Sequence, residues 1–148
     1  MIRGRFDGDG RPTIDCILSF TPIKRLGDRA LPIPISFVID TGSDTTLILP
    51  EHYEPYQYGD FIEYPLDHPE GYGGAITVRR VPAGLYFRHD TGNFVRVSME
   101  VEIARPRAGL SGLPSVLGRD LLDFYKLTIH KPSGTVALDV DVSAEQLQ

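Results

Sequence analysis

Phe37-Val38-Ile39-Asp40-Thr41-Gly42-Ser43 is an apolar run closed by a carboxylate and followed by a turn-forming triplet. A second run, Thr45-Thr46-Leu47-Ile48-Leu49, comes directly after it. An ionisable group between two apolar segments is costly unless it has partners. Asp40 is therefore either a well-satisfied turn residue or a carboxylate kept for chemistry. Most Asp-Thr-Gly triplets are plain turns, because Asp caps them and Gly supplies positive φ. Strand patterns on both sides and a second motif far downstream favour chemistry here.

The chain of 148 residues fits one domain and can bury a core without metal or disulfide staples. It is 41% hydrophobic and 24% charged, with a net charge of −5, which argues against a nucleic-acid partner. Its 15 Gly, 12 Pro, 7 Tyr and 7 Phe favour short strands and turns over long helices. A single cysteine, Cys16, excludes an internal disulfide and reads as a small buried residue. No apolar run reaches membrane-spanning length, and the start lacks the apolar stretch of a signal peptide. The expectation is a complete, soluble, cytoplasmic protein with no membrane partner.

Around the opening motif the pattern is that of strands. Thr13 to Phe20 places Ile14, Cys16, Leu18 and Phe20 on one face. Thr21 to Pro34 reads as a loop, and Ile35 to Ile39 as a short buried strand ending at Asp40. Leu47 to Leu49 is a further strand, stopped by Pro50, with irregular chain to Asp60. Phe61 to Leu66 and Ala75 to Val81 flank a Gly-rich turn, His68 to Gly74, as a hairpin. Gly84 to Phe87 and Phe94 to Ile103 make another around His89-Asp90-Thr91-Gly92-Asn93. Val95, Val97, Met99, Val101 and Ile103 alternate there with Arg96, Ser98, Glu100 and Glu102. A short strand ends at Gly118, and Arg119 to Tyr125 is the only helix expected. Leu127 to Ile129 and Val136 to Val140 close the chain as a hairpin, leaving a polar tail at 141–148. The class is all-β with one short helix.

One carboxylate alone is a poor device for splitting an amide. Two close together share a proton, so that one acts as base on water while the other donates to the carbonyl oxygen. Asp90-Thr91-Gly92 repeats the triplet, but Arg88, His89 and Asn93 give it a polar hairpin setting, and it reads as an ordinary turn. The chain has no room for two lobes, so the second carboxylate is expected from a second copy of Asp40 in a twofold homodimer. Other chemistries lack their residues. The four histidines are scattered, Gly109-Leu110-Ser111-Gly112 lacks the last Gly of a nucleophile elbow, and no phosphate-binding loop is present. No metal or cofactor is expected.

From Ile35 to Ile129 the chain resembles the retropepsins, the retroviral-type aspartic proteases. Val38-Ile39-Asp40-Thr41-Gly42-Ser43 matches their catalytic signature. Gly71-Tyr72-Gly73-Gly74 and the strand returning from it resemble the flap tip, and Val116-Leu117-Gly118-Arg119-Asp120-Leu121-Leu122 resembles the run leading into their helix. The resemblance implies a closed, barrel-like β-sandwich with a flap hairpin, acting as an aspartic endopeptidase on protein or peptide substrates. It implies a catalytic group of Asp40, Thr41 and Gly42, with Thr41 bracing the dimer. Ser43, Asp44, Gly71, Tyr72, Gly73 and Gly74 would contact substrate, while Gly118 and Arg119 support the site and Arg119 pairs with Asp44. The chain departs from the family in a longer segment before Asp40, a longer stretch from flap to Gly118, and a hairpin after the helix. The competing reading is the same fold used as a silent dimerisation or peptide-binding module, which has no need for an acid at position 40.

Overall fold

The computed structural model describes residues 1–20, 32–53, 66–68, 76–107 and 109–139, with backbone alone at 66–68. The expected flap tip (Gly71, Tyr72, Gly73, Gly74), most of the first loop, the strand onset at 61–65 and the polar tail lie outside these residues. The elements are β1 (Ile2–Arg3), β2 (Arg5–Phe6), β3 (Pro12–Phe20), β4 (Pro32–Ile39), β5 (Leu47–Ile48) and α1 (Pro50–Tyr53). They continue with β6 (Leu66–His68), β7 (Ile76–Arg88), β8 (Phe94–Ala104), β9 (Val116–Leu117), α2 (Arg119–Leu122), β10 (Lys126–His130) and β11 (Thr135–Asp139).

Eight strands form one sheet in the order β2-β3-β4-β9-β5-β8-β7-β6, and β3 also pairs with β7. That extra pairing closes the sheet on itself. Alternate residues of its long strands then meet inside, where Ile14, Leu18, Phe37, Leu85, Phe87, Val95 and Ile103 are fully buried. A smaller cluster of Leu47, Leu49, Ile76, Val78, Ala104, Leu110 and Val116 lies beside the main core. Val38, two residues before Asp40, packs against it. A separate three-stranded sheet, β1-β11-β10, joins the chain's first strand to its last hairpin.

The all-β expectation holds, but several boundaries differ for physical reasons. β4 begins at Pro32, inside the expected loop. Val38 and Asp40 turn their N–H groups toward β9. Two-residue alternation points Pro32 and Pro34 the same way, where no described strand pairs with β4, so their missing donors cost no ladder bond. β7 runs unbroken through Pro82 for a similar reason. The Thr77 carbonyl faces Arg105 on the β8 side, so position 82 turns its nitrogen away from β8. On that side, Pro82 falls between the residues paired with β6 and those paired with β3.

The helices also differ from expectation. The segment after Pro50 is one helical turn rather than irregular chain, with Pro50 as its first residue, where no amide donor is required. α2 is four residues long, not two turns. Beyond Leu122 the bonds tighten, with Phe124 N–H to the Leu121 carbonyl and Tyr125 N–H to that of Leu122, and the chain turns into β10.

Cys16 sits on the inward face of β3 at 4% exposure, and burial pushes its thiol pKa up to about 12. Because the thiolate is the reacting species, a maleimide at neutral pH should leave the native protein unlabelled and label it fully in denaturant. Labelling of native protein at the rate of a free thiol would contradict this burial.

Candidate active site

Asp40 emerges where three strands converge. Val38 and Ile39 pair in parallel with Val116 and Leu117 of β9, and Leu47 of β5 pairs with Val116 from the other side. The Val38 N–H donates to the Ser115 carbonyl at 3.0 Å and the Asp40 N–H to that of Leu117 at 3.0 Å. Both bonds fix the strand end, so Asp40 leaves it in a set direction. Its side chain is half-buried, and Thr41 and Gly42 after it are exposed. The Gly42 N–H donates to Asp40 Oδ1 at 2.9 Å, and the Ser43 N–H donates to the Asp40 carbonyl at 3.1 Å. A side chain at position 42 would place its Cβ 3.2 Å from that same Oδ1 and crowd the carboxylate.

The loop is held from below by the segment that follows β9. Arg119 N–H donates to the Ser43 carbonyl at 2.8 Å, and Asp120 N–H to that of Asp44 at 3.2 Å. The Arg119 guanidinium pairs with the Asp44 carboxylate, the partner that the resemblance implies. Both side chains are largely exposed, so the pair orients the loop more than it stabilises the fold. Gly118 lies under the backbone of Thr45, where a Cβ would come within 2.3 Å of the Thr45 carbonyl oxygen.

Three side chains at the site escaped the sequence reading. Asp120, open to reading as a solvated helix start, accepts the Thr46 N–H at 2.9 Å and the Thr46 hydroxyl at 2.7 Å. The buried Thr46 hydroxyl in turn accepts the Gly118 N–H at 3.2 Å. Ser115 is fully buried, and its Oγ accepts the Leu49 N–H at 2.9 Å with His52 Nδ1 at 2.6 Å. Burial holds the His52 imidazole below its usual pKa, with Glu51 opposing the effect. Glu102 alternates with apolar residues as a polar-face position does, yet it is only 6% exposed and accepts the Thr45 hydroxyl at 2.5 Å. The signal for Asp120 was its place beside Arg119; alternation alone could not have found Glu102.

The second Asp-Thr-Gly is a hairpin tip. Gly92, with φ of 92°, closes the turn between β7 and β8. Asp90 N–H donates to the Met1 carbonyl at 2.9 Å, and its carboxylate lies 3.6 Å from Arg3. A hydrogen bond from the Met1 ammonium is the main cause that holds the Asp90 carboxyl below its ordinary pKa. A carboxyl so held is poorly suited to retain a shared proton, and no bond among the described residues joins it to Asp40. Among the described residues no three His, Cys, Asp or Glu side chains gather as a metal site.

Compared by sequence, the chain matches no protein-family model and no curated protein. By structure it aligns with a retropepsin-like aspartic protease from Rickettsia conorii. The alignment covers 91% of this chain and 95% of that one, with 17% identity and a TM-score of 0.56. It also aligns with EIAV protease complexed with the inhibitor HBY-793, over 80% and 90% of the two chains, with 20% identity and a TM-score of 0.44. The fold of this chain is the all-β, retropepsin-like acid protease fold.

Gly118→Ala tests the packing beneath the loop. Neither Thr45 nor Gly118 can move without breaking the bonds just described. The substitution should cost about 1–3 kcal/mol, read as a melting midpoint lower by several degrees. An unchanged midpoint would show that the loop yields freely.

Proposed function

We propose that the chain is an aspartic endopeptidase, active as a homodimer, in which the Asp40 carboxylates of two copies activate one water. The observation that carries this reading is Asp40 itself. A rigid strand end presents a half-buried carboxylate toward solvent, with Oδ1 held by the Gly42 amide, on a retropepsin-like fold. Two such groups within hydrogen-bond reach would retain one proton between them. The ionised member takes a proton from water as the oxygen attacks the peptide carbonyl carbon, and the protonated member donates to the carbonyl oxygen. On collapse of the tetrahedral intermediate one carboxyl gives its proton to the amide nitrogen as the C–N bond breaks, and a hydroxyl of the intermediate gives its proton back to the other carboxylate as the C=O bond reforms. The products are a carboxylic acid and an amine, and the pair is left with its single proton.

In this reading Thr41 braces the two loops against each other, and the Gly42 carbonyl takes a substrate N–H. Ser43 and Asp44 flank the bound peptide, and Gly71, Tyr72, Gly73 and Gly74 cover it as a flap that excludes water. The extended substrate binds through main-chain contacts as an added strand. No helix among the described residues is long and apolar enough to cross a membrane. The single buried thiol suits the reducing cytoplasm. Asp40→Asn should abolish cleavage of an unstructured protein substrate while the fold and the oligomer persist. Cleavage by Asp40→Asn at even a tenth of the wild-type rate would sink the mechanism and favour a silent binding module.

For the second copy, we place the contact at β10. Among the described residues this strand pairs with β11 on one side only. Phe124, two residues before the strand, is 78% exposed, and Ile129 within it is 43% exposed. An antiparallel twofold pairing centred on Thr128 sets Leu127 opposite Ile129 of the second copy and joins two three-stranded sheets into one. Directly opposed Cβ atoms lie about 5 Å apart, within reach of a disulfide. Thr128→Cys should therefore cross-link on mild oxidation, whereas Lys126→Cys, about 13 Å from its own copy along the strand, should not. The reverse pattern, or a wild-type protein that sediments as a monomer at every concentration, would refute this interface.

A further inference from the structure

We infer that Glu102 is a positioning residue of the Asp40 site, acting through Thr45; the inference rests on the aspartic-peptidase reading. Glu102 stands on β8, in parallel register with Leu47 of β5. It is 6% exposed, although it alternates with Val101 and Ile103 as an outward residue should. Leu47, its register partner on β5, and Ala104, two residues further along β8, both belong to the smaller buried apolar cluster. A carboxylate in such a place is expensive and is retained only with partners.

Its partners lead to the active-site loop. Oε1 accepts the Thr45 hydroxyl at 2.5 Å, and the Glu102 N–H donates to the Thr46 carbonyl at 3.0 Å. Oε2 lies 3.8 Å from Nε of Arg80, its cross-strand neighbour on β7. The Thr45 carbonyl accepts the Ser43 hydroxyl at 2.7 Å, and the Ser43 N–H is bonded to the Asp40 carbonyl at 3.1 Å. Thr45 is also the residue packed against Gly118, whose neighbour Arg119 donates to the Ser43 carbonyl at 2.8 Å. Glu102 thus holds a residue that is bonded to the Asp40 loop through Ser43 and packed against Gly118 of the supporting segment. The carboxylate charge is set against Arg80, and the geometry is set against Thr45. Glu102→Gln keeps an acceptor oxygen for Thr45, while Glu102→Ala removes it and Thr45→Val removes the donor without changing side-chain shape.

Small misplacements of a reacting group cost up to about 100-fold in rate. Glu102→Ala and Thr45→Val should each lower kcat by about tenfold to 100-fold with KM nearly unchanged. The double variant should be no worse than the poorer single one, and Glu102→Gln should restore most of the rate. Amide exchange supplies a readout that needs no activity. Protection of the Ser43 and Arg119 amides should fall at least tenfold in Glu102→Ala and persist in Glu102→Gln, with Leu85 and Val95 unaffected. If wild type cleaves nothing, the peptidase reading fails and the exchange result still decides whether Glu102 holds the loop. Unchanged protection at Ser43 and Arg119 overturns the proposal. So does a lowered melting midpoint with kcat per folded dimer intact, which would mark Glu102 as structural only.

Discussion

The site depends on a steric constraint: two segments distant in sequence cross with no side chain between them. Gly118 passes under Thr45 so closely that a Cβ would meet the Thr45 carbonyl oxygen at 2.3 Å. This contact lets the chain before α2 dock its amides on the carbonyls of Ser43 and Asp44. Those bonds set the height of the Asp40 loop above β9. Had the crossing been wider, the loop would have needed water or side chains to satisfy the same groups. Because it is close, backbone groups do most of the work, and the side chains of Asp120, Thr46 and Glu102 lock what remains.

Much of this was legible in the sequence, and the parts that were not have identifiable causes. Apolar alternation found β3 and the length of β8, because inward faces of a closed sheet must be apolar. Proline misled, since its meaning depends on which side of a strand is paired. Pro32, Pro34 and Pro82 look like interruptions, yet each turns its nitrogen to a stretch where no described strand pairs. That information lies in the sheet order, not in any local window. Helix lengths failed in the same way, because the start of β10 limits α2 more than intrinsic propensity does.

The site was legible in its centre and hidden at its edges. Asp40 and Gly42 carry signals of their own, since the turn restricts the residue types allowed, while Gly118 and the Asp44–Arg119 pair were legible only through the family resemblance. Glu102 carries none. A glutamate on an alternating strand looks like solvent-facing decoration until its neighbours Leu47 and Ala104 are known to be buried. Ser115 is similar, a small polar residue that becomes structural only once Leu49 and His52 converge on it. Buried polar groups that read non-local partners are the class of residue that periodicity reports wrongly.

The surrounding network also bears on why one chain would carry half a site. Within a single chain, Asp40 is bonded to its own loop and to β9. A lone carboxylate so placed has no second described acid bonded to it with which to share a proton. A twofold copy would supply that second acid, and Thr41 and Gly42 beside Asp40 are exposed. The same rigidity that would make the chain inert alone would then make the pair exact enough for chemistry. On this reading the cost of pre-organisation is met during folding of each chain, and association supplies only the second charge. Activity would be governed by the dimer equilibrium, while the geometry of each half would be independent of it.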